Sequence, residues 1–467
     1  MKRMVPVCRC DLPVRANTAS RRPSLRRRTA NAGPIRTAVF FLCAVATLVA
    51  TLGCKPGGKA PSNVQTQTLS NGVRVVSVYF PGSTNVALFT FLPMGLASDG
   101  PGQAQWSHLV EHLVIRSTVP ADLSMANAET LPDHMRLDFY GHAGDWTEGL
   151  SHHRRWLEGV PFTETSLSAE KPKVVSECDV TARNFATHKF ALAAWAQGFR
   201  HGQMRAALKG DVYRASLGAI QQYRDRRLAP LSNVVVCVVG GVEPARALAT
   251  CSQAFGALSS SAAPATAVKP QPGMREMTWD LDARHLVITW PIPACAAAEF
   301  PALLAAAQWL NMQFFSDPTI QKMAGLVIAG TDLASPEGNF FFLSASLRPG
   351  STFQDVQARL DHHLQRLVSS GEDLAALPQL GRQLAEGLTT VPDPRSMKAR
   401  LPAGVTPAMV EMNVGLQWGM SEYRYGPHKA ALARGLAGLK TDEVRQAAKN
   451  HLAASARSVI TLRPAGP

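Results

Sequence analysis

Apolar and polar positions along this chain follow a plan that runs twice. After a polar stretch at residues 55–64, residues 68–80 and 84–91 have strand character, joined across Pro81-Gly82-Ser83. Residues 104–115 then carry apolar side chains at helical spacing, and a mostly helical middle extends to Leu228. The run NVVVCVVG at 233–240 predicts a buried strand, and residues 244–258 a closing helix. Residues 259–273, rich in Ala, Ser and Pro and without an aromatic, read as a linker. Beyond it the plan returns. Strands are predicted at 277–281, 285–290, 339–347 and 457–463, and helices at 299–315, 353–369 and 441–454. The reading is an α+β protein with two similar domains, 65–258 and 274–465, repeating in pattern with little identity.

The beginning of the chain stands apart. Of a formal charge of +14, residues 1–53 carry +9, from ten Lys or Arg against Asp11. The remaining +5 on 414 residues is an ordinary solubility charge. No basic stripe with interleaved aromatics appears, so nucleic acid is not an expected partner. The basic stretch leads into a charge-free run of 16 residues, 37–52, short for a spanning helix and suited to a signal-peptide core. It ends in Gly53-Cys54, a small residue before Cys, which resembles a bacterial lipoprotein cleavage site, although Thr51 stands where Leu is usual. Residues 1–54 thus read as a signal peptide ending in a lipid-bearing Cys54, with 55–64 as tether. The alternative is an uncleaved anchor over 37–52. On either reading the body is exported and membrane-anchored, facing the periplasm.

Eight cysteines are present. Outside the leader and Cys54, only Cys178, Cys237, Cys251 and Cys295 remain, widely spaced and without a CxxC pair, which argues against a cysteine zinc site. Cys237, inside the 233–240 run, reads as a buried small hydrophobe. Spacing leaves the disulfide question open.

The chemistry concentrates in Trp106-Ser-His-Leu-Val-Glu-His-Leu-Val114. Helix positions four apart share a face, so His108 and His112 can offer two imidazoles to one ion. Zinc takes nitrogen and oxygen ligands tetrahedrally and, in catalytic sites, keeps a place for water. Glu111, beside that place, can serve as general base. The pattern is that of the inverted zinc peptidases. His152, His153, His362 and His363 read as surface residues.

Several stretches around it resemble the pitrilysin/insulinase-like metallopeptidases, a family that includes the mitochondrial processing peptidases. These are the strand-like Leu69-Ser-Asn-Gly-Val-Arg-Val-Val76, Asn127-Ala-Glu-Thr-Leu-Pro-Asp133, Glu170-Lys-Pro-Lys-Val-Val-Ser-Glu177, and residues 230–258. The resemblance implies two pitrilysin-like α/β domains closing as a clamshell. It implies Glu177 as third zinc ligand, Glu170 as a residue supporting the ligands, and Asn127 and Ala128 on a strand edge that pairs with substrate. The activity implied is zinc-dependent endopeptidase action on peptides or unfolded segments. Active relatives also carry an Arg and a Tyr in the second half that hold the substrate carbonyl. Here Phe353 stands near the expected Tyr, and Ala345 or Ser346 where the Arg would be. That departure leaves a second expectation open: a scaffold or partner-dependent subunit, completed by another family member or a second copy.

Overall fold

The computed structural model describes residues 63–118, 126–184, 209–261, 272–279, 283–332, 339–369, 374–392 and 405–464. Cys54, the leader, the tether up to residue 62 and most of the 259–273 linker lie outside the described residues.

The first half contains strands β1 (Val64–Thr68), β2 (Arg74–Tyr79), β3 (Asn85–Leu92), β4 (Ala126–Thr130), β5 (Met135–His142) and β6 (Val235–Gly240). Its helices are α1 (Trp106–Thr118), α2 (Trp146–Glu158), α3 (Glu164–Asn184), α4 (Gly210–Arg214), α5 (Leu217–Leu228) and α6 (Pro244–Phe255). Of the expected strand at 68–80, β2 takes residues 74–79 and Thr68 ends β1, which begins earlier than expected, because Asn71-Gly72 turns the chain between them. Asn71 Oδ1 accepts from Val73 N–H, and Gly72 takes φ +94° where a Cβ would lie 2.6 Å from Ser232 Cα. The middle segment also holds β5, whose Met135, Leu137 and Phe139 alternate with Arg136, Asp138 and Tyr140.

The strands order as β1-β2-β6-β3-β5-β4, with β2 and β6 parallel and every other pair antiparallel. All of β6 is buried because both sheet faces are covered. Val236 and Val238 face a core shared with α1, α2, α3, α5 and α6, while Val235, Cys237 and Val239 face the opposite side.

The second half repeats the topology. Strands β7 (Gly273–Trp279), β8 (His285–Ile292), β9 (Ala324–Asp332), β10 (Asn339–Leu347) and β11 (Ser458–Pro464) order as β7-β11-β8-β10-β9. β7 and β11 are parallel and the remaining pairs antiparallel. Without β1, the first sheet has the same order and sense. The helices are α7 (Phe300–Ser316), α8 (Pro318–Met323), α9 (Phe353–Val368), α10 (Leu377–Thr389), α11 (Pro407–Tyr425), α12 (Lys429–Ala437) and α13 (Thr441–His451). α7, α9, α10, α12 and α13 pack on one core with this sheet. α11 lies instead on the first sheet, where Val410, Val414 and Trp418 meet Val76, Val78, Phe89, Phe91 and Val239. Two glycines seat it closely: a Cβ at Gly415 would stand 2.3 Å from Val239, and one at Gly419 2.7 Å from Phe91.

His362 is exposed, but His152, His153 and His363 are buried, contrary to the surface reading. For His153 and His363 the physical reason is a buried polar partner brought from elsewhere in the chain. His153 Nδ1 meets the Thr90 hydroxyl at 2.6 Å, and His363 Nε2 meets the Asp317 carboxylate at 2.7 Å. The four cysteines outside the leader are free. Among the described residues, no helix is long and apolar enough to cross a membrane.

Candidate metal centre

Two helices build the site. α1 buries Leu109, Val110, Leu113 and Val114 in the first core, which turns His108 and His112 to its other side. α3 brings Glu170 and Glu177 from seven residues apart along one face. Pro172 lies inside α3 without ending it. The ring removes one N–H donor, which the helix tolerates two residues past Glu170.

Glu177 Oε2 lies 3.2 Å from His112 Nε2 and 3.4 Å from His108 Nε2. A tetrahedron with zinc bonds of 2.0–2.1 Å has edges of about 3.3–3.4 Å. The donor set, two imidazole nitrogens and a carboxylate oxygen, also suits zinc. His108, Glu111 and His112 place ligand atoms within 4.8 Å of one another. The residues present fit a zinc ion on both counts.

The other ring nitrogens are tied down. His112 Nδ1 lies 3.0 Å from Glu170 Oε2, and His108 Nδ1 3.0 Å from Gln105 Oε1. Both partners are oxygens able to accept, so an Nδ1 proton on each ring turns the Nε2 lone pairs toward Glu177. Lone pairs facing a carboxylate repel it, and a cation on that side removes the conflict. Without a cation the rings would instead carry a proton on Nε2 and donate to Glu177: burial pulls the His112 pKa down, but hydrogen bonds with Glu177 and Glu170 and the charge of Glu111 leave it above its ordinary value. Hydrogen bonds with His108 and His112 hold Glu177 far below the usual carboxylate range, against partial burial. Burial would raise Glu170. Its contacts with Lys173, which donates to Oε1 at 2.7 Å, and with His112 bring it below the ordinary value instead.

Glu111 is buried beside this cluster, and the Thr130 hydroxyl donates to its Oε2. Thr130 ends β4, the edge strand, which pairs only with β5 among the described residues. Asn127, exposed, and Ala128, half-buried, lie on the same strand. Gln105 escaped the sequence reading, and Thr130 entered it only as part of the 127–133 stretch, without its contact to Glu111. Gln105 is a buried polar residue with φ 67°, just before α1, in a region non-glycine residues rarely adopt.

The residues of the second half fall elsewhere. α7 stands where α1 stands in the first half and contains no His. Phe353 begins α9, with Arg463 4.9 Å and Arg284 5.9 Å over its ring. Ala345 is buried and Ser346 half-buried on β10. Tyr423 is half-buried against Phe91 and His134, on the sheet face opposite α1.

No protein-family model matches the chain, and no curated protein matches it in sequence. Solved structures match it in shape. A protease from Helicobacter pylori superposes with a TM-score of 0.64 at 15% identity, over 86% of this chain and 99% of that one. A peptidase M16 inactive domain from Pseudomonas fluorescens gives 0.64 at 14% identity, over 86% and 98%. The fold is that of the M16-like, pitrilysin-like peptidases. The periplasmic protease PqqL from Escherichia coli extends the comparison, with a TM-score of 0.58 at 14% identity over 87% of this chain and 48% of PqqL. This chain therefore corresponds to about half of PqqL. At these identities the M16-like assignment concerns architecture, a peptidase-like scaffold; the chemistry rests on the side chains above.

Proposed function

We propose that this protein is a zinc-dependent endopeptidase acting on peptides or unfolded segments. One observation carries the reading: a single oxygen of Glu177 lies within 3.4 Å of both imidazole Nε2 atoms, at tetrahedral-edge spacing. His108, His112 and Glu177 would hold the ion. Zinc there supplies water acidified to near neutral pH and a Lewis acid for the peptide carbonyl. Glu111 takes the proton from the attacking water and returns it to the leaving amine. Glu170 fixes the His112 ring from behind. The exposed edge of β4, with Asn127 and Ala128, accepts the substrate backbone as an added strand. Cys54 anchors the body by a lipid on the periplasmic side of a membrane.

The experiment is zinc analysis of the purified body, with cleavage of a quenched peptide library with and without chelator. His108→Ala/His112→Ala should lose stoichiometric zinc. Full occupancy in that variant would sink the metal assignment. Glu111→Gln should keep zinc and lose cleavage on the order of a hundredfold or more, since an amide cannot accept the proton. An active Glu111→Gln protein removes Glu111 from the base role. Retention of Cys54→Ser in the membrane fraction would overturn the lipid anchor.

A second reading, a scaffold or partner-dependent subunit, has Phe353 in its favour, which brings no hydroxyl to the place where active relatives have a Tyr.

A further inference from the structure

We propose that Thr130 is a positioning residue for Glu111, and that it ties the orientation of the base to the strand on which a peptide docks. The inference rests on the zinc-peptidase reading of the site.

A carboxylate turns about its last bond with a broad, two-fold preference, so an unsupported base spends time misdirected. Glu111 is supported at one oxygen only by geometry that β4 supplies: the buried Thr130 hydroxyl donates to Oε2. That hydroxyl has a single proton to give, and giving it to Oε2 leaves Oε1 free to accept from water. A hydroxyl on a strand is a stiffer support than one on a long side chain, because χ1 of a β-branched residue is restricted.

Thr130 sits at one end of β4, three residues beyond Asn127, with Thr130 paired to Met135 and Asn127 to Asp138. The opposite edge of β4 has no strand among the described residues. A peptide hydrogen-bonding along that edge would straighten and fix the strand. Because the last residue of the strand holds the base, docking and base alignment become one event. Substrate binding then contributes to kcat as well as to affinity.

The test compares Thr130→Val, which keeps shape and loses the donor, with Thr130→Ser, which keeps the donor. Zinc content and unfolding temperature are measured alongside. Thr130→Val should lower kcat on the order of 10- to 100-fold with KM unchanged, and Thr130→Ser should recover most of it. A purely structural role would move the unfolding temperature and leave kcat of the folded fraction intact, which overturns the proposal. A second arm needs no turnover: the affinity for acetohydroxamate, whose proton the base accepts when the two oxygens chelate zinc. Thr130→Val should weaken that binding about tenfold in the parent and have no further effect in Glu111→Gln, because the two residues act as a unit. Additive losses in zinc-loaded protein overturn the Thr130 role alone. A parent chain that binds neither zinc nor hydroxamate overturns the zinc-peptidase reading, and the inference with it.

Discussion

At the scale of residues, the site was legible where its parts are close in sequence. His108, Glu111 and His112 share one helical turn, so their meeting follows from helix geometry alone. Glu177 reaches them from another helix, and nothing local in the chain announces it; only the resemblance supplied it. Thr130 stood within the quoted edge-strand stretch without a role of its own, and Gln105 was invisible because a single polar residue carries no period. The buried histidines failed for the same reason in reverse. His153 reads as polar, yet it lies fully buried against Thr90. Burial, then the neighbouring His152, push its pKa down from 6.5 to about 3. The folded state therefore keeps His153 neutral where the unfolded chain would take a proton. Stability from this residue is complete above pH 6.5 and falls as the pH drops toward about 3, by up to ~1.4 kcal/mol per pH unit. Chemical denaturation at pH 7.5 and 5.0 checks this. His153→Gln, which does not titrate, should flatten that part of the pH dependence. An unchanged slope in the variant would mean that other groups set the acid sensitivity.

At the scale of elements, strands covered on both faces were the easiest to read. β6 shows as a continuous apolar run because the first core lies on one side and α11 on the other. β5 was harder. Its Arg136 and Asp138 form a bidentate pair at 2.8 and 3.1 Å, which lets charged residues sit in a strand. The landing site of α11 was not legible at all, since two glycines that permit close approach look in sequence like weak helix positions. They give a sharp expectation. Gly415→Ala puts a methyl group 2.3 Å from Val239 and should destabilise by about 1–3 kcal/mol. Gly387→Ala on α10 meets open space and should stabilise by about 0.5–1 kcal/mol, through helix propensity alone. Opposite outcomes of the same substitution at two helical glycines make denaturant midpoints an internal control. A neutral Gly415→Ala would show that α11 seats less tightly on the first sheet than these distances imply.

At the scale of the whole molecule, two sheets of the same order carry unequal chemistry, and that asymmetry predicts how the protein works. The first half gathers His108, His112, Glu177, Glu111 and the open β4 edge. In the second, α7 occupies the place of α1 without a histidine, and Phe353 lies under two guanidinium groups. Among the described residues, three side chains that could stand in, Arg348, Tyr423 and Tyr425, are engaged elsewhere. The Arg348 Nε donates to the Gln321 and Ala324 carbonyls. Tyr425 packs on Phe300, and Tyr423 lies on the sheet face away from α1. Activated water without a group to hold the developing oxyanion forfeits on the order of a hundred- to a thousandfold in rate. We therefore expect the purified chain to cleave peptides slowly alone and to accelerate by that factor when a second M16-like chain supplies those groups. The measurement is a titration with candidate partner chains, reading peptide cleavage and mass in solution together. Acceleration should saturate at a fixed stoichiometry, coincide with a heavier species, and vanish with Glu111→Gln in this chain, because on the proposed function the water is activated here. Acceleration that survives Glu111→Gln would place the active site in the partner and leave this chain as the scaffold. Fast turnover by a monodisperse monomer would show that the substrate-holding groups already lie within this chain.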